Sequence, residues 1–324
     1  MSSGQHRVKP FGLCGIRFSR RLRLVATGLV VLCLRLHASV AWSQADSYRE
    51  ALERFNSGDY LQAWVAARAA VEQDGRNVHY RRLYGLILAA LKQYSEAEEN
   101  LRRAILLAPD QPDYHYNLGV VLFDQRKEKQ ALEPLKRALE LAPDHRMARL
   151  YLGRTYHNLS LYDKAIEQYR HIARRDATFS WINYYLGKTR LTLGAEDEAL
   201  QGFRAEVTLY PRNALARVEL AELLMKKGQW QAALEHLKAA ERIAPNLYRV
   251  HYGLAKGYRH LGHFETAIQA ARLAAQLAPK FADVRYLMAQ LYQENRQPEL
   301  ARQEMETFIR LRQLYPQDSH PVDR

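Results

Sequence analysis

The stretch LAPDQPDYHYNLG runs from Leu107 to Gly119, and the stretch LAPDHRMARLYLG runs from Leu141 to Gly153. Both begin with Leu-Ala-Pro-Asp and end with Leu-Gly, while most of the residues between these ends differ. The second stretch lies 34 residues after the first. A frame that keeps its spacing while its contents change indicates a tandem structural repeat.

Small residues keep the same 34-residue spacing along most of the chain. Eight alanines stand in this register without insertion or deletion: Ala63, Ala97, Ala131, Ala165, Ala199, Ala233, Ala267 and Ala301. The residue twelve positions before each alanine is always glycine or alanine, and the glycines are Gly85, Gly119, Gly153 and Gly187. Small side chains at fixed points predict that two backbones approach each other closely there. We therefore expect Gly119 and Ala131 to face each other across a helix pair.

Each 34-residue unit contains two segments with helical periodicity. In the third unit, Leu118, Val121 and Leu122 follow the i, i+3, i+4 spacing of an amphipathic helix. Leu135 and Ala138 continue the same pattern in the second segment of that unit. Proline then closes five of the eight units, where a helix is expected to stop. Because no segment alternates apolar and polar residues as a strand does, the sequence predicts an all-α fold.

In this register the sequence resembles the tetratricopeptide repeat family. The third unit carries the match most clearly, with YNLG at Tyr116–Gly119, then Ala131, then ALELAP at Ala138–Pro143. The resemblance covers residues 44 to about 315, in units that start near residues 44, 78, 112, 146, 180, 214, 248 and 282. It implies a right-handed superhelical α-solenoid of about eight helix-turn-helix repeats, followed by a short disordered tail at residues 316–324.

Three residues in the middle of the array depart from the family pattern. Ile172 and Ala177 stand where the family has alanine and proline, and Glu206 occupies the alanine position of the fifth unit. These departures predict that the stacking or the curvature of the helices changes locally around the fourth and fifth units.

The resemblance further implies a concave groove, lined by the first helix of each unit, that binds segments of other proteins. The groove residues expected in the first three units are Tyr48, Leu52, Phe55, Arg82, Leu86, Tyr116, Val120 and Phe123. Those expected in the later units are Arg154, His157, Trp181, Tyr184, Lys188, Lys226, Arg249, Tyr252, Lys256, Arg259 and Tyr286. The tyrosines have a second explanation, because the family also uses tyrosine at these positions for packing.

The character of the groove is expected to change along the array, from apolar in the early units to basic in the later ones. At the ninth position of each unit, Leu52, Leu86 and Val120 give way to mostly charged residues. Such a groove would suit extended or helical partner segments with hydrophobic anchors followed by acidic residues. Lysine at the fifth place with asparagine at the ninth is how related repeats clamp the C-terminus of cytosolic chaperones. This pattern is absent here, which disfavours that role.

Two other functions stay open at this point. A groove rich in tyrosine, with Trp181, could instead stack on the sugar rings of a glycan or exopolysaccharide. The chain could also be the targeting subunit of an enzyme on a separate chain. An active site within this chain is not expected. His260 and His263 lack a third metal ligand, and no glycine-rich phosphate loop is present. We therefore predict a non-enzymatic protein without cofactor, metal or small-molecule substrate.

The first 41 residues have the layout of a secretory signal peptide. Basic residues in SRRLR, residues 19–23, precede an apolar run from Leu24 to Leu34, and small residues allow cleavage after Ala41 or Ala45. The run of eleven apolar residues is shorter than the ~20 that a membrane-spanning helix needs. We expect export to the periplasm or the extracellular space, with membrane association only through partners. Both cysteines lie in this segment, so the mature chain is expected to form no disulfide.

Composition and net charge narrow the classes of protein and of partner that remain possible. Apolar residues make up 48% of the chain and charged residues 26%, which is typical of a globular and not a disordered protein. The net charge is +13, but the first 45 residues hold seven basic and no acidic residues. The remainder has 41 basic and 35 acidic residues, a net charge of only +6. Nucleic acid is therefore not an expected partner.

Overall fold

The computed structural model describes residues 47–315. The expected signal peptide, with either cleavage site, and the expected tail at residues 316–324 lie outside the described residues. Between residues 47 and 315 the chain is folded into helices joined by short turns, and no strand occurs there. The prediction of an all-α repeat fold is confirmed. No helix in this range combines the length and the apolar character that crossing a bilayer requires.

Sixteen helices follow one another along residues 47–315, two for each predicted unit. They are α1 (47–56), α2 (Tyr60–Gln73), α3 (Val78–Ala90), α4 (Tyr94–Leu107), α5 (Pro112–Asp124), α6 (Glu128–Leu141), α7 (Arg146–Asn158), α8 (Tyr162–Arg175), α9 (Ile182–Thr192), α10 (Glu196–Leu209), α11 (Ala214–Lys226), α12 (Trp230–Ile243), α13 (Tyr248–His260), α14 (Phe264–Leu277), α15 (Ala282–Glu294) and α16 (Pro298–Leu314). Odd-numbered helices are the first, and even-numbered helices the second, of each repeat.

The helices form two compact units that divide within α5, between residues 117 and 118. In the first unit, small side chains of α1 and α2 pack against α3. Its core consists of Ala51, Ala63, Ala66, Ala67, Leu83 and Ile87. The second unit holds two apolar clusters, one between Tyr184 and Leu254 and one between Ala255 and Ala301. Within each unit, helices that follow one another along the chain pack together, as in other linear repeat proteins.

The turn between the two helices has the same backbone geometry in every repeat. One residue there adopts a positive φ, and these residues lie 34 positions apart: Gly58, Lys92, Arg126, Ser160, Gly194, Gly228, Gly262 and Arg296. Glycine supplies this conformation without steric cost, and four of the eight turns use it. The other four hold a side chain in the left-handed region because the flanking helices fix the turn. The period seen in the sequence is therefore also a period of the backbone.

The small residues of the 34-residue register lie at the contacts between helices, as predicted. Seven of the eight alanines are fully buried, and Ala301 is 7% exposed. The side chain nearest to Gly119, however, is a large one. A Cβ atom at Gly119 would lie 2.5 Å from Cγ of Leu135, one turn beyond Ala131. Gly85, Gly153 and Gly187 meet Leu101, Tyr169 and Phe203 in the same way. Each glycine thus makes room for a large side chain of the second helix.

The array is irregular between the fourth and fifth repeats, where the sequence departs from the family pattern. Helix α9 begins at Ile182, two residues later than the equivalent start of the other odd helices from α3 onwards. Trp181 precedes it with φ +72°, the only positive φ among the described residues that lies outside a repeat turn. Glu206 of α10 is fully buried and accepts a hydrogen bond from the backbone N–H of Trp181 at 3.1 Å. A buried carboxylate therefore holds the late start of α9.

Candidate functional site

The first helices of the repeats lie close together within residues 118–315. Contacts join α7 with α9, α11 with α13, and α13 with α15, although α9 and α11 are not joined to the same extent. Successive second helices within residues 118–315 have no contacts of comparable extent. When helix pairs stack with curvature, the helices that stay close to one another lie on the inner side. We call the exposed side of α7, α9, α11, α13 and α15 the inner face. It is the surface on which the resemblance places a ligand groove.

Two of the residues expected to line the groove are buried. Tyr184 is 6% exposed and packs against Phe203 at 5.9 Å between ring centroids, inside the apolar core. Phe123 is 7% exposed and lies beneath the Arg154 side chain. Both side chains fill space between helices, so packing explains them and the groove assignment for these two residues is wrong. Tyr286, at the equivalent position of the last repeat, is 43% exposed.

The expected groove residues of the early repeats remain at least partly accessible. Leu52 is exposed, and the side chains of Tyr48, Phe55, Arg82, Leu86, Tyr116 and Val120 are partly buried. Tyr48 stacks on Tyr80 with 5.0 Å between ring centroids. Phe55 contacts Tyr60 at 5.7 Å. These helices therefore leave aromatic and aliphatic side chains partly accessible, and the apolar groove expected there stays a prediction.

The basic character expected of the later repeats is largely cancelled by acidic residues from neighbouring repeats. The carboxylate of Glu219, which is only 2% exposed, accepts hydrogen bonds from Lys188 Nζ and Arg249 Nη1, each at 3.0 Å. Arg249 also donates to Glu222 at 3.1 Å. Burial alone would raise the pKa of Glu219, but Arg249 and Lys188 hold it below its ordinary value. These four side chains together carry no net charge.

Other cations of the expected groove are neutralised in the same way. Arg259 donates to both carboxylate oxygens of Glu294, at 2.6 to 3.1 Å, and to Gln290 at 2.6 Å. Lys226 forms an ion pair with Glu196. Since these partners lie 30 to 35 residues away in sequence, each pair bridges two repeats. Ion pairs between repeats therefore neutralise part of the basic half that the sequence predicts.

The ion pair between Lys188 and Glu219 should add little to the free energy of unfolding at neutral pH and nothing at acidic pH. Lys188 is 37% exposed, so solvent screens its interaction with Glu219, and we expect Lys188→Gln to cost about 0.5–1 kcal/mol at pH 7. The pKa of Glu219 is lowered in the folded state, so the stabilisation exists above the ordinary value of 4.5 and disappears as the pH falls through the folded value. Urea unfolding at pH 7 and pH 3 measures both quantities. A difference in unfolding free energy between wild type and Lys188→Gln that persists unchanged at pH 3 would contradict this explanation. Lys226→Gln, which removes the lysine of an exposed ion pair, is the control.

Arg154 is held by aromatic rings and not by a carboxylate. Its guanidinium carbon lies 4.6 Å from the centroid of Phe123, 4.7 Å from that of Tyr151 and 5.2 Å from that of Tyr185. We call this group the Arg154 cage. Tyr185 in turn stacks on Tyr169, which is fully buried, at 5.9 Å. Three rings and their support in the core thus fix the position of a cation on the inner face.

The surroundings of the cage combine an exposed indole with polar groups that already have partners. Trp181 is 37% exposed and lies 6.4 Å from the Tyr185 ring. Nδ1 of His157 lies 3.0 Å from Oγ1 of Thr189. Burial, and then Lys188, lower the pKa of His157, which favours its neutral form.

Side chains of the last two repeats line a concave region with a volume of about 420 Å³. Its lining includes Tyr286, Gln290, Glu294, Arg302 and Met305, from α15 and α16. Tyr252 and Lys256 lie on the neighbouring helix α13, with Lys256 Nζ 5.6 Å from the Tyr252 ring. This region mixes apolar and paired polar side chains and so has no clear charge preference.

The described residues contain no cluster of three or more histidine, cysteine, aspartate or glutamate side chains that could hold a metal ion. The ring of His260, one of the two histidines considered above, stacks on Trp230 at 3.9 Å.

Comparisons with known proteins agree with the repeat geometry. A family model described as TPR repeat matches residues 85–126. A second model, described as Tetratricopeptide repeat, matches residues 116–178, 184–248 and 218–282. A search of curated proteins finds no match.

Several solved structures share the fold. The crystal structure of the APC/C hetero-tetramer Cut9-Hcn1 matches with a TM-score of 0.63 and 18% identity, over 78% of this chain and 50% of that chain. A tetratricopeptide repeat protein from Parabacteroides merdae ATCC 43184 matches with a TM-score of 0.62 and 16% identity, over 78% and 99%. PilF of Pseudomonas aeruginosa matches with a TM-score of 0.56 and 22% identity, over 64% and 92%. The chain thus spans half of the matched Cut9-Hcn1 chain, and identities this low show a common fold only.

Proposed function

Because the chain belongs to the tetratricopeptide repeat family, we propose that it is a non-enzymatic scaffold that binds segments of partner proteins on its inner face. Repeats of this family generally bind other proteins and peptides. The observation that carries the proposal is the separation of roles along the first helices. Their small and apolar residues are used in stacking, whereas Arg154, Lys256, Trp181 and Tyr286 remain at least partly exposed on one surface.

We further propose that the scaffold works in the bacterial cell envelope, where it assists secretion or the assembly of an envelope complex. The support is the basic, apolar and small-residue layout of residues 1–45. Cell fractionation and intact mass measurement test this location. The exported chain should begin at Trp42 or Asp46. Recovery of the protein in the cytosol with Met1 intact would contradict export.

Site-specific photo-crosslinking in cells tests the use of the inner face. A crosslinking amino acid at Tyr286 or Lys256 should yield adducts with partner proteins, because both side chains lie on the inner face. The same amino acid at Glu235, exposed on the second helix α12, is the matched control and should yield few adducts. Stronger crosslinking from Glu235 would contradict the proposal. Adducts that contain polysaccharide and no protein would support the glycan-binding alternative.

A further inference from the structure

We infer that the Arg154 cage is a receptor for an aspartate or glutamate side chain that lies next to a large apolar residue in a partner protein segment. The inference rests on the proposed function and specifies the chemistry of the ligand. It depends on three observations. Arg249 and Arg259 of the inner face have acidic partners whereas Arg154 has none among the described residues. The rings orient the guanidinium, and an exposed indole lies beside it.

Arg154 differs from most other cations of the inner face in its lack of a counter-charge. Lys256 also forms no ion pair within residues 47–315, but its Nζ lies over a single ring, that of Tyr252, at 5.6 Å. Lys188, Arg249 and Arg259 all form ion pairs with acids of neighbouring repeats. Arg154 has neither a hydrogen bond nor an ion pair within residues 47–315. Asp124 is close enough for Arg154 to lower its pKa, although burial raises that pKa on balance. The two side chains do not come within ion-pair distance. A partly buried guanidinium without an ion-pair partner among residues 47–315 is complementary to an acid on another chain.

The rings determine how an acid can approach. A guanidinium presents five N–H donors, all in its plane, and matches the two oxygens of a carboxylate. The Arg154 cation lies over the faces of three rings at 4.6 to 5.2 Å. Because the Phe123 and Tyr151 planes meet at 89°, the guanidinium can stack parallel to only one of these two rings. Because these rings restrict the Arg154 side chain before the ligand arrives, less conformational entropy is lost on binding. The cage therefore favours a carboxylate that accepts from the guanidinium N–H groups that the rings leave uncovered.

The indole of Trp181 indicates which kind of residue should lie beside the carboxylate in the partner segment. The Trp181 backbone has a positive φ, a conformation that costs energy for a non-glycine residue and persists only where the surroundings impose it. Glu206 fixes that backbone, while Tyr184 and Tyr185 contact the ring at 5.4 and 6.4 Å between centroids. The indole is thereby kept partly exposed next to the cage. An aromatic or large aliphatic residue beside the acid would bury this surface.

A peptide suits this site better than a sugar. Sugar recognition needs several hydrogen-bonding side chains that are free to meet hydroxyl groups. Near the cage, His157 is engaged with Thr189, and Asn158 donates to Glu128 at 3.2 Å. A single oriented cation beside apolar rings matches an acidic residue in an apolar context.

Selection from a random twelve-residue peptide library tests the inference. The purified protein should enrich peptides in which aspartate or glutamate is adjacent to an aromatic or large aliphatic residue. Calorimetry with an enriched peptide should then show a loss of affinity of about 10- to 100-fold for Arg154→Gln, the range expected for a charge-assisted hydrogen bond. Exchange of the peptide acid for its amide should cause a similar loss. Circular dichroism would establish that the variants are folded.

Two further variants separate the cage from general charge effects. Lys256→Gln removes one positive charge from the ninth position of another repeat on the same face, and should weaken binding less than threefold. Arg154→Lys keeps the charge but loses the planar donors and the stacking, and should still weaken binding about fivefold or more. Arg154→Lys also replaces Arg154→Gln as the test if the latter fails to fold. Equal losses in Arg154→Gln and Lys256→Gln, or full affinity in Arg154→Lys, would overturn the inference.

The selection also distinguishes failure of the inference from failure of the proposed function. Enrichment of neutral or basic peptides would overturn the inference and leave a peptide-binding inner face intact. If no peptide is enriched, and a uronic-acid oligosaccharide binds instead, both the inference and the proposed function are wrong.

Discussion

Replacement of Glu206 with alanine is expected to destabilise the protein by about 2–4 kcal/mol, because it leaves buried polar groups without partners. Most other repeats carry alanine at this position: Ala70, Ala104, Ala138, Ala240 and Ala274. A substitution toward the common residue of a repeat is usually stabilising. Here Oε1 of Glu206 accepts hydrogen bonds from the Trp181 backbone N–H at 3.1 Å and from Asn213 Nδ2 at 3.0 Å. Alanine would remove the acceptor of both hydrogen bonds and also leave a cavity.

Chemical unfolding in urea measures the effect, with Glu235→Ala as control. Glu235 is an exposed glutamate on α12, and its replacement should change the free energy of unfolding by no more than about 0.5 kcal/mol. Hydrogen exchange should show the loss of protection first in α9 and α10, because the repeats stabilise mainly their neighbours. An unchanged or higher stability of Glu206→Ala would show that the buried carboxylate does not hold the start of α9.

The same carboxylate should make stability depend on pH. Burial raises the pKa of Glu206 above its ordinary value of 4.5, although Asn213 and the backbone N–H groups at the start of α9 oppose this. The folded state thus retains the proton to higher pH than the unfolded state. The contribution of Glu206 to stability is therefore largest below 4.5 and falls as the pH rises through the folded pKa. Glu206→Gln removes this dependence, so its stability relative to wild type should improve between pH 4.5 and pH 7.

The repeat could be predicted from the sequence because helix packing imposes it at fixed intervals. A glycine or alanine is required wherever two helix backbones approach, so the 34-residue register of small residues is visible without a structure. The side chain that lies nearest to each glycine is harder to predict from the sequence. A long helical side chain points back toward the N-terminus of its helix, so the space above Gly119 is filled by Leu135 and not by Ala131.

The charge of the inner face could not be predicted from the ninth positions alone. The sequence predicts the charge of each cation from its own position in the repeat. The acid that neutralises it lies at a different position of a different repeat. A signal did exist, because Glu219 falls in a row of the repeat that holds Leu83, Tyr151 and Tyr185 elsewhere. A carboxylate in such a row needs cationic partners, since an unpaired buried charge is costly. The left-handed conformation of Trp181 had only an indirect signal, the glutamate at 206 and the missing proline at 177.

Gly153 should tolerate alanine worst among the glycines that face a second helix. A Cβ atom there would lie 2.9 Å from two ring carbons of Tyr169 and closer still to a third, and that ring is fully buried. Helix propensity favours alanine over glycine by about 1 kcal/mol, but overpacking against a rigid ring costs more. We expect a net destabilisation of about 1–3 kcal/mol for Gly153→Ala. Gly85→Ala is the matched control, because its Cβ would meet the more adaptable Leu101 at 2.9 Å.

A double-mutant cycle separates this clash from a general effect on α7. The sixth repeat carries Ala221 and Leu237 at the positions that Gly153 and Tyr169 occupy in the fourth, so alanine opposite leucine is already accommodated in this fold. Tyr169→Leu alone should be destabilising, since it removes a large buried side chain. In combination with Gly153→Ala, however, the cost should be smaller than the sum of the two single costs by about 0.5–3 kcal/mol, the range of coupling between residues in contact. Strictly additive costs in urea unfolding would show that Gly153 is not required to make room for the Tyr169 ring.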